Sequence, residues 1–153
     1  MKLAEALMLR ADMQTKIASL RARIARGAVV QEGAKPNEDP MALIKEASAV
    51  IAEHERLVVA INAANLRHAL PDGRSLTAAL AHREALTLQL GSLQAAIDAT
   101  DERFDRMGGR DVKWTTTVDV PALQKQIEDL SRRLRTLNAM IQETNWQIDL
   151  DWT

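Results

Sequence analysis

Histidines, arginines and side-chain amides are the residues of this chain whose types could do chemistry. Three histidines, His54, His68 and His82, and 21 acidic residues are the raw material of a metal centre or an acid–base pair. His54 and His68 are 14 residues apart, about 21 Å along one helix, so they cannot share an ion within one chain. Symmetry-related histidines meeting between subunits would be the remaining arrangement. "HERLV" at 54 to 58 is not HExxH, and no Glu stands three residues before a histidine, which removes the dinuclear carboxylate pattern of helix bundles. Glu53 and Glu55 flank His54, but neighbouring helical positions face different ways. Cysteine is absent, which excludes thiolate chemistry, disulfides and cysteine zinc sites. There is no GxSxG, no dinucleotide glycine pattern and no phosphate loop, since Gly108 and Gly109 lead into Arg-Asp. No catalytic, cofactor-binding or metal residue is assigned, and the chain reads as a protein that is not an enzyme and holds no cofactor.

The elements that carry these residues are helices. Leu123, Ile127, Leu130, Leu134, Leu137, Ile141, Thr144 and Ile148 alternate at three and four residues without a break, the spacing of a coiled-coil seam. Leu3, Ala6, Arg10, Met13, Ile17, Leu20 and Ile24 repeat the pattern in a first segment. Leu43, Ala47, Val50, His54, Leu57, Ile61, Ala64 and His68 repeat it in a second. Leu76, Ala79, Arg83, Leu86, Leu90, Leu93, Ile97, Thr100, Phe104 and Met107 repeat it in a third. The fold expected is all-α, an antiparallel bundle of four long helices at about 2–26, 40–69, 75–107 and 120–150, in one domain spanning 1–153. The boundaries follow from Gly27, from an Asp39 cap before Pro40, from the turn "LPDGRS" with its Ser75 cap, from Gly108 and Gly109, and from Asp119 or Val120 before Pro121. The short turn between the second and third helices predicts that these two pack as a hairpin.

Two connectors, 27–39 and 108–119, interrupt the helices. Val29 and Val30 open the first, and Val112, Trp114, Thr116 and Val118 alternate with Lys113, Thr115 and Thr117 in the second. A small two-stranded β-ribbon between the connectors would use this alternation, with Gln31, Glu32 and Gly33 turning the chain and Pro36, Asp39 and Pro40 leading into the second helix.

Several polar groups fall inside the seams. Arg10, His54, His68 and Arg83 take inward positions, where charge is costly unless paired. Beside the last seam runs a seven-residue ladder of Gln124, Ser131, Asn138 and Asn145, and Asn62 and Asn65 add amides near the hairpin end. Such groups need a connected hydrogen-bond network, whose usual service is to set register and oligomer state.

More apolar surface is present than one bundle hides. Ala52, Val59 and Leu66 recur every seven residues opposite the second seam, and Ala81, Leu88 and Ala95 do the same on the third helix. Trp146 lies opposite the fourth seam. With Trp114, the residues Val59, Leu66, Leu88 and Trp146 form the candidate surface of a homo-oligomer, whose protein partners beyond itself the sequence does not name.

Charge narrows the alternatives. Lys2, Arg10, Lys16, Arg21, Arg23 and Arg26 outnumber Glu5 and Asp12 at the start of the chain, yet the net charge is -1. Arginines at the end of a helix complement its dipole, and no nucleic-acid partner is expected. No run approaches the roughly 18 apolar residues of a membrane span, and no export signal precedes the first helix, so a cytoplasmic protein without a membrane partner is expected.

"VVQEGAKPNEDP" after the Arg-rich first helix, "INAANLRHALPDGRSLTAALAHRE" across the hairpin and "LNAMIQETNWQIDL" near the end resemble, across essentially the whole chain, a family of small bacterial helical proteins of unknown function, some members of which are labelled septicolysin. The resemblance implies a mostly α, self-associating protein with no established biochemical activity. It directs attention to Gln31, Glu32, Gly33 and Pro36, to Asn65 and Arg83, and to Gln142, Asn145 and Trp146. Arg83 would seek a carboxylate, Glu32 among the candidates. The label itself would imply a pore-forming toxin, a role at odds with the missing export signal. A structural or protein-interaction module is therefore expected, and a ligand- or metal-binding oligomer with sites between subunits is the alternative.

Overall fold

The computed structural model describes residues 1–106, the last five of them by backbone alone, and 114–152. Among them are four helices: α1 (Leu3–Gly27), α2 (Pro40–Arg67), α3 (Leu76–Arg106) and α4 (Val120–Gln147). The fold is all-α, as the four seams predict.

Local chemistry explains the starts of α2, α3 and α4. The Asp39 carboxylate accepts from the Met41 N–H at 2.9 Å, with Pro40 at the first helical position of α2. Ser75 Oγ accepts from the Ala78 N–H at 3.1 Å and Asp119 Oδ1 from the Ala122 N–H at 3.1 Å, so α3 and α4 are capped alike. Each bond satisfies one of the orphan donors of a helix N-terminus. Before α3 the chain reverses through Leu70–Arg74, where Gly73 takes the left-handed region at φ 86° and Asp72 accepts from the Arg74 backbone and guanidinium.

The chain divides into two compact units, Met1–Ala69 with Glu143–Thr153, and Leu70–Gln142. In the first, α2 packs on α1. Ion pairs from Lys16 to Glu46 and from Arg23 to Glu38 set an antiparallel register. Met13, Leu20, Leu43, Val50, Leu57 and Ile61 fill the seam between the two helices. Gly27, the last residue of α1, allows a close approach: a Cβ there would stand 3.1 Å from Pro40 Cγ, tighter than ordinary van der Waals contact. The segment after α4 closes this unit. Leu3 N–H donates to Ile148 O at 3.0 Å and Leu150 N–H to Met1 O at 2.8 Å, making an antiparallel bridge at Lys2 and Asp149.

In the second unit Leu70, Leu76, Ala79, Leu86, Ile97, Leu137 and Ile141 are buried. The hairpin expected of the second and third helices joins elements of different units; within its own unit the helix partner of α2 is α1.

The connectors differ from the ribbon pattern. Val29, Val30 and Trp114 to Val118 form no strand, while Val112 and Lys113 lie outside the described residues, as do Met107, Gly108 and Gly109. The first connector instead turns at Gln31, whose carbonyl accepts from Ala34 N–H at 2.9 Å, with Gly33 at φ 83°. Only a residue without Cβ adopts that conformation cheaply.

Candidate functional site

Two sets of residues stand apart from ordinary core and surface: polar groups set into the seams, and apolar side chains on the outside. Arg10 lies on α1 and His54 on α2, both half-buried. Following the register of Lys16 with Glu46 and Arg23 with Glu38 toward the start of α1 brings Arg10 level with the turn that carries His54. Arg10 Nε and His54 Nε2 are both buried without a hydrogen-bond partner among the described residues. A buried donor without an acceptor carries its full desolvation cost.

The remaining candidates divide by position. Asn145 is 5% exposed; Asn65, Arg83, Ser131 and Asn138 are half-buried. His68 and Gln142 are exposed and stand outside any buried set. His68 caps α2 with extended backbone, φ -103° and ψ 148°, and so leaves the seam before its turn inward would come. Gln142 follows the fully buried Ile141 and points away with the outer face. The ion pairs of the described residues involve neither Arg83 nor Glu32. Gln31, Glu32 and Gly33 are exposed and Pro36 half-buried, so this connector presents its motif to solvent, with Asp39 and Pro40 engaged in starting α2.

No group of three or more His, Cys, Asp or Glu among the described residues is placed to hold a metal ion, and no helix there is long and apolar enough to cross a membrane. The charged groups with shifted ionisation are surface pairs. The Arg23 guanidinium, hydrogen-bonded to Glu38, holds that carboxyl below its usual range; Arg74 does the same to Asp72 and Lys2 to Asp149.

The outer set is exposed throughout. Val59 and Leu66 on α2 are 63% and 69% exposed, Leu88 on α3 is 65% exposed, and Trp114 and Trp146 show nearly half their surface. Met41, Ile44 and Ile51 extend the apolar surface of α2 toward its start, a signal the seven-residue count through Ala52, Val59 and Leu66 did not contain. Beside Val59 lies an open groove of about 770 Å³, floored by Ala52, Ala60 and Ala63 and rimmed by Glu55, Arg56 and Asp151. A second groove of about 560 Å³ runs beside Leu88, between α3 and the facing turns of α4.

Long helices, a seam interrupted by unpartnered polar groups and outward apolar faces define an all-α protein of the helical-bundle class. The chain belongs to a family of unknown function, DUF6847, whose model matches residues 10–150. It is similar over 99% of its length, at 30% identity and a TM-score of 0.93, to 99% of a functionally unknown conserved protein from Corynebacterium diphtheriae whose crystal structure is known. No curated protein matches the chain.

Proposed function

We propose that the protein is a cytoplasmic, non-enzymatic module that self-associates and serves a structural or protein-interaction role. One observation carries the reading: Val59 and Leu66 stand exposed on the side of α2 turned away from the α1 seam. α2 has already buried Leu43, Leu57 and Ile61, so its second apolar face is surplus to the fold of its own unit. The septicolysin label would imply pore formation, but among the described residues no helix is long and apolar enough to cross a membrane.

A ligand-binding oligomer is the second reading, favoured by the unpartnered Arg10 Nε and His54 Nε2, which an anion or carboxylate would satisfy. Native mass spectrometry of untagged protein, purified without chelator, separates the two. A defined oligomer with the mass of its chains supports the module. A reproducible extra mass per chain supports the ligand-binding form, and a monomer overturns self-association.

A further inference from the structure

We propose that the occupant of the outer face of α2 is the same face of a second copy, packed parallel and in register. The inference rests on the self-association reading and adds its surface and geometry. At 100° per residue, Ala52, Val59 and Leu66 form a line along the exposed face, one heptad apart. Glu55 and Ile51 flank that line on one side; Arg56 and Ala49 flank it on the other. All seven residues are exposed.

The two flanks complement each other in charge and in shape. Glu55 and Arg56 form no ion pair among the described residues, and both line the groove beside Val59. When two helices pair in parallel about a twofold axis, opposite flanks meet; when they pair antiparallel, like flanks meet. Parallel pairing therefore sets Glu55 of each copy against Arg56 of the other, twice. It also lays the bulky Ile51 over the small Ala49 and Ala52 of the other copy, where alanines permit close approach. Antiparallel pairing would put the basic flank of Lys45, Arg56 and Arg67 against its own copy and leave alanine facing alanine. Charge and volume thus select the same orientation, with Val59 and Leu66 each meeting their own counterpart on the axis.

The chain has no cysteine, so single cysteines report this geometry directly. Val59→Cys and Leu66→Cys should each oxidise to a disulfide-linked dimer, because residues on the axis come within the about 7 Å that a disulfide spans between Cα atoms. Glu55→Arg alone or Arg56→Glu alone should weaken association roughly tenfold, by placing like charges across the axis, and the double variant should recover it. All four positions are exposed, so folding is not at stake. If native mass spectrometry shows an oligomer whose Leu66→Cys variant does not cross-link and whose charge reversals change nothing, this geometry is overturned while self-association stands. A monomeric wild-type chain overturns both.

Discussion

Arg10 on α1 and His54 on the facing turn of α2 each keep a buried nitrogen without a hydrogen-bond partner among the described residues. The seam around them is aliphatic, with Met13 and Val50 on one side and Leu57 on the other. An unsatisfied buried polar group costs about 1–3 kcal/mol, so removing it should help. Arg10→Met is expected to stabilise the fold by about 1 kcal/mol, read as a higher urea midpoint with unchanged slope. A loss of that size would instead reveal an acceptor that Arg10 engages in the folded protein.

Leu57 and Val59 are two residues apart on α2 and should respond in opposite ways. Leu57 is fully buried, and Leu57→Ala should cost about 3 kcal/mol through lost transfer energy and the cavity left behind. Val59→Ala should change folding stability by less than about 0.5 kcal/mol while weakening self-association. Denaturation and sedimentation of the same two variants check the separation.

The first connector is held at two points. Asp39→Ala removes the cap of α2 and should cost about 1 kcal/mol. Gly33→Ala forces a side chain into the left-handed region, although open space surrounds the glycine, and should cost about 1 kcal/mol through backbone strain alone. Equal stability of Gly33→Ala and wild type in urea would show that the turn opens without consequence.

Three surface carboxyls set an acid dependence. Asp149, Glu38 and Asp72 are each held below their ordinary values, first by a hydrogen bond from Lys2, Arg23 and Arg74 respectively. A depressed folded pKa means that the folded state favours the ionised form. The contribution is complete above the unfolded values of about 4 and drains away as pH falls through the lower folded ones. The urea midpoint should therefore be insensitive to these pairs near pH 6 and fall below about pH 4, less steeply in Asp149→Asn. An unchanged slope in that variant would show that the Lys2 pair contributes nothing.

Much of this was legible in residue spacing. From Leu3 to Ile24 and from Leu123 to Ile148 every seam position counted in the sequence is buried or half-buried. In α2 the count fails only at His68, where the helix ends and periodicity loses its meaning. Val59, Leu66 and Trp146 could be placed outside because a helix with one seam must turn its opposite side to solvent. What spacing did not contain was long-range pairing. Nothing local in "KLAE" or "IDLD" specifies that Lys2 meets Asp149, and the β-alternation of Val112 to Val118 suggested a strand that its described part does not form, since an isolated ribbon lacks the cross-strand partners that would hold it. Arg10 and His54 were identifiable as inward, but whether an acceptor awaited them depends on neighbours from other turns.

The clasp formed by Leu3, Ile148 and Leu150 also orders the events of synthesis. Leu70–Gln142 is one uninterrupted stretch, complete once its own residues have left the ribosome. The other unit contains α1 and α2, made first, yet its last layer is the tail beyond Glu143. The portion translated earliest must therefore wait, its seam formed but its end uncovered, until a later one has emerged and folded back over it. Domains that fold as units during translation usually follow chain order; here the contiguous middle can finish ahead of the segment that precedes it.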